Sequence, residues 1–342
     1  MKRIAKFGAG SMMLAAALAA LPATAGAEAA DAKAKEEAKD LLVAESFSGA
    51  EIADPDLRSL NACLTAATVL GGDDEFDSCS DQAVGPVPES GKSPGYLQLT
   101  DGGNYDTGAV IHNEALPSGN GVEVTFAQYQ YGGSAADGIA FFLVDGDTDL
   151  TETGAYGGSL GYAQFDADGH VNDGIDGGYL GLGLDVYGNF SGDTEGRGNG
   201  CPEGQQAPAH LQIETNKAPN SVALRGPGQG NEGYCLLATT ATDEYIGAYS
   251  DGDVYGSDLA GDLGGTTLDD AKRLVKLKVL PEGDRANVTV DIDFQDGDGW
   301  VRVLEAEVPE ALPETFKFGF ASSTGGKTDV HLIRHLRVEA FQ

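Results

Sequence analysis

Ten short runs of apolar or alternating residues, bounded by Gly, Asp, Asn or Pro, recur along the chain between residues 95 and 341. They are GYLQLT at 95–100, VEVTFAQYQY at 122–131, GIAFFLV at 138–144, YLGLGLDVYG at 179–188 and SVALRG at 221–226. RLVKLKVL at 273–280, NVTVDIDF at 287–294, WVRVLEAEV at 300–308, FKFGFAS at 316–322 and HLIRHLRVEAF at 331–341 follow. Runs this short, separated by turn residues, predict an antiparallel sandwich or barrel. Glycine supplies 50 of 342 residues, and because each interior glycine costs a helix about 1 kcal/mol, a mainly helical chain is excluded. Only residues 56–70 and 268–273 offer short helical turns, and no period of 20–50 residues repeats. Hydrophobic residues make up 41% of the chain, enough for one large all-β core and too many for a disordered chain.

The two ends of this pattern differ in kind. Lys2, Arg3 and Lys6 precede an Ala/Leu-rich run at 12–21, and Ala25-Gly26-Ala27 offers a small-x-small cleavage site. That order of basic, apolar and small residues is a secretory signal over residues 1–27, too short to span a bilayer. Residues 28–42 (EAADAKAKEEAKDLL) are mixed in charge and read as a solvated helical linker, so the folded domain is expected over 43–342. The formal charge of −33 repels phosphates, which excludes nucleic acid and anionic lipid as natural partners and is compatible with cation binding. Export makes the cysteines candidates for disulfides. Of three possible pairings, Cys63 with Cys79 and Cys201 with Cys235 demand the least long-range geometry.

The richest chemistry lies in GLDVYGNFSGDTEGR at 183–197. Asp185, Tyr187 and Asn189 are two apart and share one side of an extended segment. An Asp carboxylate, a main-chain carbonyl, an Asn amide oxygen and Asp193 form an all-oxygen set of the kind a calcium ion requires. An acidic turn after a core strand is the alternative. Asp145-Gly-Asp147-Thr-Asp149 begins like a calcium loop, but Leu150 stands where the loop needs glycine and Tyr156 where it needs a bidentate Glu. Asp166/Asp168 and Asp251/Asp253 lack the continuation, and Asp296-Gly-Asp298-Gly reads as a hairpin turn. GGSLG at 157–161 matches G-x-S-x-G, yet no helix pattern follows to make Ser159 a nucleophile. His331 and His335 are four apart with Leu332 where a metalloprotease helix carries Glu, and they lie in a strand-like run. His112, His170 and His210 are isolated.

Four segments, in order, resemble the legume-type (L-type) lectins, and are closest to the secreted bacterial lectin-like variant. ADGIAFFL at 136–143 is similar to that family's ADG-x-(A)-FFL strand, and GGSLG at 157–161 to its GG-x-LG loop. LDVYGN at 184–189 resembles the metal-loop signature, and GFASSTG at 319–325 the closing strand and loop. The resemblance covers roughly residues 43–342. It implies a concanavalin-like jelly roll of a flat and a curved antiparallel sheet with few short helices, and a calcium-dependent sugar pocket on edge loops.

The resemblance also implies roles. Asp137, preceded by a cis peptide, would accept hydrogen bonds from sugar hydroxyls. Gly158 would present its N–H, Tyr187 its ring, and residues 325–328, with Gly326 at the sugar, would tune specificity. One Ca2+ would be held by Asp185, the Tyr187 carbonyl, Asn189 and Asp193, with Glu195 competing for the last position. Gly183 stands where the family carries a Glu that ligates a neighbouring transition metal, a departure that counts against a second metal site. The leading expectation is a secreted, non-catalytic, calcium-dependent carbohydrate-binding protein for glycans or polysaccharide, with no membrane insertion; one domain without a repeat suggests a homo-oligomer or a modest binder. The alternatives are a jelly-roll glycoside hydrolase, whose paired carboxylates spacing alone cannot exclude, and a structural exoprotein with a degenerate lectin site.

Overall fold

The computed structural model describes residues 38–69, 76–250 and 252–342. The signal read at 1–27 and most of the linker read at 28–42 lie outside the described residues. The linker's last residues are not helical: Lys39–Glu45 is a strand, paired antiparallel with Val330–Phe341 through contacts such as Val43 with Val338. Its buried residues Val43 and Glu45 alternate with the exposed Ala44, the period-two pattern that a strand at a sheet surface demands.

Two nine-stranded sheets make the fold. The first runs Glu232–Gly233, Gly228–Gln229, Gly178–Asp185, Gly138–Asp145, Thr315–Ser323, Thr107–Pro117 and Leu57–Leu60, with Ser221–Arg225 and Leu236–Thr239 attached beside Gly178–Asp185. The second runs Trp300–Val308, Arg285–Asp293, Arg273–Glu282, Val122–Tyr131, Val330–Phe341 and Leu97–Thr100, ending in two short strands. Among the described strands, every strand-to-strand pairing is antiparallel except that between the short strands Cys63–Leu64 and Asp77–Ser78. The architecture is therefore the expected all-β sandwich. Its only helical elements among the described residues are the three-residue turns Gly157–Ser159, Thr194–Gly196 and Ala209–Leu211. No described helix is long and apolar enough to cross a membrane.

Between the sheets lies one large core. Phe141, Leu143, Leu180, Leu182, Phe318 and Phe320 of the first sheet meet Val124, Phe126, Val275, Leu277, Val288 and Val290 of the second. Phe320 packs edge-on against Phe126 and Phe141 at 4.8 and 5.1 Å between ring centroids. Each such fully buried side chain contributes roughly 1.5–3 kcal/mol. The strand Gly138–Asp145 reads as a continuous apolar run because its outer face is covered too: Ala140, Phe142 and Val144 join Tyr162, Ile175 and Tyr234 in a second cluster beneath the loops. Both predicted disulfides form, Cys63–Cys79 and Cys201–Cys235.

All ten sequence-predicted runs are strands. The sequence reading missed Thr107–Pro117 and the hairpin of Ala241–Tyr249 with Gly252–Ser257. Residues 268–270 form a turn, as expected, but 57–60 and 63–64, expected in a helical turn, are strand because their edges are bonded to neighbours.

Candidate functional site

Antiparallel order brings three sequence-distant positions to one end of the first sheet. Gly178–Asp185 finishes there, Gly138–Asp145 begins there and Thr315–Ser323 finishes there, with Leu184 opposite Ile139 and Ser323 opposite Gly138. Asp137, Asp185 and Ser323 are thus neighbours by register.

The Ala136–Asp137 peptide is cis. The backbone N–H of Asp137 donates to the Ser323 carbonyl at 2.9 Å, and its own carbonyl accepts from the Tyr187 N–H at 3.1 Å. Its Oδ2 accepts the Ser323 hydroxyl at 2.9 Å, and that hydroxyl oxygen accepts the Gly157 N–H at 2.9 Å. One serine therefore ties the Asp137 carboxylate to the 157–159 turn. Burial pushes the Asp137 carboxyl up to about 6; the Ser323 hydrogen bond opposes this, and the charges of Asp185 and Glu195 add to it.

Asp185 is 1% exposed and organises the loop after it. Its Oδ1 accepts the N–H groups of Tyr187 at 2.9 Å and Gly188 at 2.6 Å, and its Oδ2 accepts that of Phe190 at 2.7 Å. Burial again dominates and pushes this carboxyl up to about 6, against the three amides and the nearby Arg197. Oδ1 has both lone pairs engaged, so Oδ2 alone keeps one for a further partner.

Asn189 and Gly158 approach so closely that a Cβ on Gly158 would stand 2.7 Å from Asn189 Cβ and 3.1 Å from its Nδ2. Only glycine fits. Neither the Asn189 side-chain amide nor the Gly158 N–H makes a hydrogen bond among the described residues, so the amide and the N–H remain available. A Cβ on Gly325 would lie 3.9 Å from Asp137 Oδ1, whereas Gly326 stands exposed with nothing near it.

Of the expected metal positions, Asp193 is already engaged by the fold: its Oδ1 accepts from Arg225 at 3.1 Å and its Oδ2 from the Ala207 N–H at 2.6 Å. Arg225 is fully buried and also donates to the carbonyls of Phe190, Gly192, Arg197 and Tyr234, so Asp193 neutralises a structural guanidinium. Glu195, the competing carboxylate, is paired with a different arginine. It accepts from the buried Arg197 at 2.7 Å, and its charge acts on Asp137 and Tyr187. Gly183 lies under the Phe190 ring, 2.2 Å from where its Cβ would be. An aromatic ring therefore fills the place from which a glutamate would reach a second metal.

One lone pair of Asp185, an uncommitted Asn189 amide oxygen, a partly exposed Glu195 and Asp137 are all hard oxygens, and the charges of Asp185 and Glu195 add to the burial that raises the Asp137 carboxyl. These residues fit a calcium ion. A separate trio, Asp54, Asp56 and His112, has its ligand atoms within 4.8 Å of one another. It lies elsewhere on the first sheet, where His112 stacks on Phe318 and bonds the Glu114 carbonyl through Nδ1.

Lys217, which no sequence motif marked, completes the rim. It is 8% exposed, and its ammonium lies 3.5 Å from the Tyr187 ring centroid and 4.0 Å from that of Tyr249. Burial lowers its pKa to about 8, with Asp185 opposing and Lys327 assisting. The hairpin that sequence reading missed delivers Tyr249, and Val254 of the same hairpin bridges to Lys217. The remaining suspects are structural. The Ser159 hydroxyl donates to the Gln164 carbonyl at 2.7 Å, His210 meets the Thr242 carbonyl, and His331 is buried against Thr100.

Clefts of about 720 and 690 Å3 neighbour the site, lined by residues such as Tyr156 and by Ala135 with Val186 respectively, but neither includes Asp137 or Asn189. Such a rim defines a loop-built, oxygen-rich surface site on a sandwich edge. Neither a protein-family model nor a curated protein sequence matches the chain. Among solved structures it is similar to peanut lectin in complex with a nine-residue peptide, at 17% identity over 88% of this chain and 98% of that one, with a TM-score of 0.44. It is similar to the lectin of Bauhinia forficata in complex with GalNAc at 12% identity over the same shares, TM-score 0.44. It is also similar to the exoplasmic/lumenal domain of VIP36 in a form bound to calcium and Man3GlcNAc, at 15% identity over 73% of this chain and 82% of that one, TM-score 0.43.

Proposed function

We propose that the protein is a secreted, calcium-dependent carbohydrate-binding protein that holds its ligand without cleaving it. The observation that carries this reading is the convergence, at one sheet end, of the Asp137 carboxylate with an uncommitted Asn189 amide and an uncommitted Gly158 N–H. Adjacent sugar hydroxyls each donate and accept. A carboxylate that accepts two of them while an N–H and an amide donate back is a complementary set. The Tyr187 ring offers an apolar face for sugar C–H groups.

Calcium, when bound, supplies a fixed charge that orients the carboxylates and the amide. Asp185, the Tyr187 carbonyl, Asn189 and Glu195 would hold it. The chain's own contribution is preorganisation: Ser323 fixes Asp137 and the 157–159 turn together, and three amides fix Asp185. Ser159 is not a free nucleophile: it is buried and its hydroxyl is committed to the Gln164 carbonyl. Export is read from the leader at residues 1–27.

Glycan-array binding by the mature protein, with and without a chelator, is the test. Retained spots should vanish on chelation and in Asp137→Ala. Binding that survives both, or release of reducing ends from the bound polysaccharide, would overturn the reading.

A further inference from the structure

The charges around the site do not balance once it is loaded. Three carboxylates face it, those of Asp137, Asp185 and Glu195, and three cations stand with them. Arg197 is spent on Glu195 at 2.7 Å. The other two are Lys217, 4.0 Å from the Tyr249 ring centroid, and Lys327, 5.8 Å from the same centroid. Neither ammonium forms an ion pair with a carboxylate among the described residues. In a chain whose formal charge is −33, carboxylates to neutralise two lysines are abundant, yet none of the described ones pairs with either. The three carboxylates and three cations named here balance one another. A doubly charged ion therefore brings it to a net charge of +2, beside a half-open tyrosine that is 40% exposed.

We propose that the saccharide taken by this site is anionic, carrying a carboxylate or sulfate group that lies between Lys217 and Lys327 against the Tyr249 ring. The inference rests on the calcium and sugar reading above and names its ligand class. Two ammoniums beside one ring form a charge-assisted clamp, and the tyrosine faces hold Lys217 in place without cancelling its charge. The pairing of Tyr249 with the 325–328 loop gives a position next to the Asp137 pocket, so the anionic group belongs to a substituent or to a neighbouring sugar of an acidic glycan.

The test is a glycan array in calcium that carries neutral, uronate-bearing and sulfated forms of the same hexose backbones. Titration of the best pair, at low and high salt, into the mature chain and into Lys217→Met and Lys327→Met follows. The anionic form should bind about tenfold or more tightly than its neutral counterpart. Salt should shrink that preference, and each variant should cut it several-fold. Whether uronate or sulfate is retained identifies which anion is used. Equal affinity for neutral and anionic forms, or a preference untouched in Lys327→Met, overturns the proposal. Lys327 sits on the surface loop, so its variant decides the matter if Lys217→Met does not fold. Neutral sugars bound in an Asp137-dependent way with no role for either lysine would sink this inference alone. An array with no binding at all would sink both.

Discussion

Calcium should stabilise this protein strongly at neutral pH and hardly at all in acid. The folded protein holds the Asp137 and Asp185 carboxyls at about 6, against 3.8 for an unconstrained Asp. Between those values the folded chain keeps protons that the unfolded chain has lost, so stability falls as pH rises through this window. Below about pH 4 both states are protonated and the cost disappears. For each carboxylate the change corresponds to about 3 kcal/mol at neutral pH. A calcium ion replaces those protons as the partner of the carboxylates, so its benefit is largest above about pH 6. At a concentration ~100 times its Kd, the ion adds about 2.7 kcal/mol. For a domain of this size, with roughly 2 °C of Tm per kcal/mol, that is a gain of about 5 °C. Differential scanning fluorimetry at about pH 7.5 and about pH 4.5, with calcium, magnesium or chelator, reads it directly. The calcium gain should collapse at the lower pH, and magnesium, which demands a tighter octahedral shell, should not reproduce it. An equal gain at both values, or an equal gain from magnesium, would refute the assignment of the ion to these two carboxylates.

Other measurements bear on individual residues. Asp193→Asn should lower Tm by leaving the buried Arg225 without its anion, yet keep the calcium-induced gain; Glu195→Gln should also lower Tm, because it leaves the buried Arg197 without its carboxylate, and should remove that gain, whereas a gain lost in Asp193→Asn and kept in Glu195→Gln would make Asp193 the ligand. Gly183→Glu should not create a second metal site: its Cβ would meet Phe190 at 2.2 Å, so thermal unfolding should show a loss of about 1–3 kcal/mol and zinc or manganese should not recover it. Loss of the Cys201–Cys235 bridge, which closes 34 residues, should cost about 4 kcal/mol, and of Cys63–Cys79, which closes 16, about 3 kcal/mol; paired Cys→Ala variants ranked by Tm check the order.

Much of the sandwich was legible because its strands obey local rules. The segments 122–131 and 300–308 carry alternation and turn residues at their ends, and the structure returns those same bounds. Lys39–Glu45 was not legible. Its helix-favouring Ala, Glu and Lys neighbours set the local preference, while the strand is fixed by pairing with Val330–Phe341, roughly 300 residues away in sequence. The Ala241–Tyr249 hairpin failed for a related reason: its side chains are mostly half-buried or exposed, so no hydrophobic period marks it.

The same division runs through the site. Asp137, Gly158, Asp185 and Asn189 follow from motifs because each is positioned by its own strand end or turn. The engagement of Asp193 was not legible, because the buried cation paired with it, Arg225, stands 32 residues further on, beyond a bridged insertion whose packing no spacing rule reports. Lys217 was invisible for the converse reason. Its meaning comes from two tyrosine faces that only the folded hairpin brings to it. Motifs therefore mark the proposed oxygen donors and the 325–328 loop that carries Lys327, whereas the second lysine of the proposed clamp, Lys217, is set by long-range packing. A sequence search restricted to the motif loops would find Lys327 and miss Lys217, and substitutions at those two lysines should change ligand preference while the Asp137–Asn189 framework stays intact.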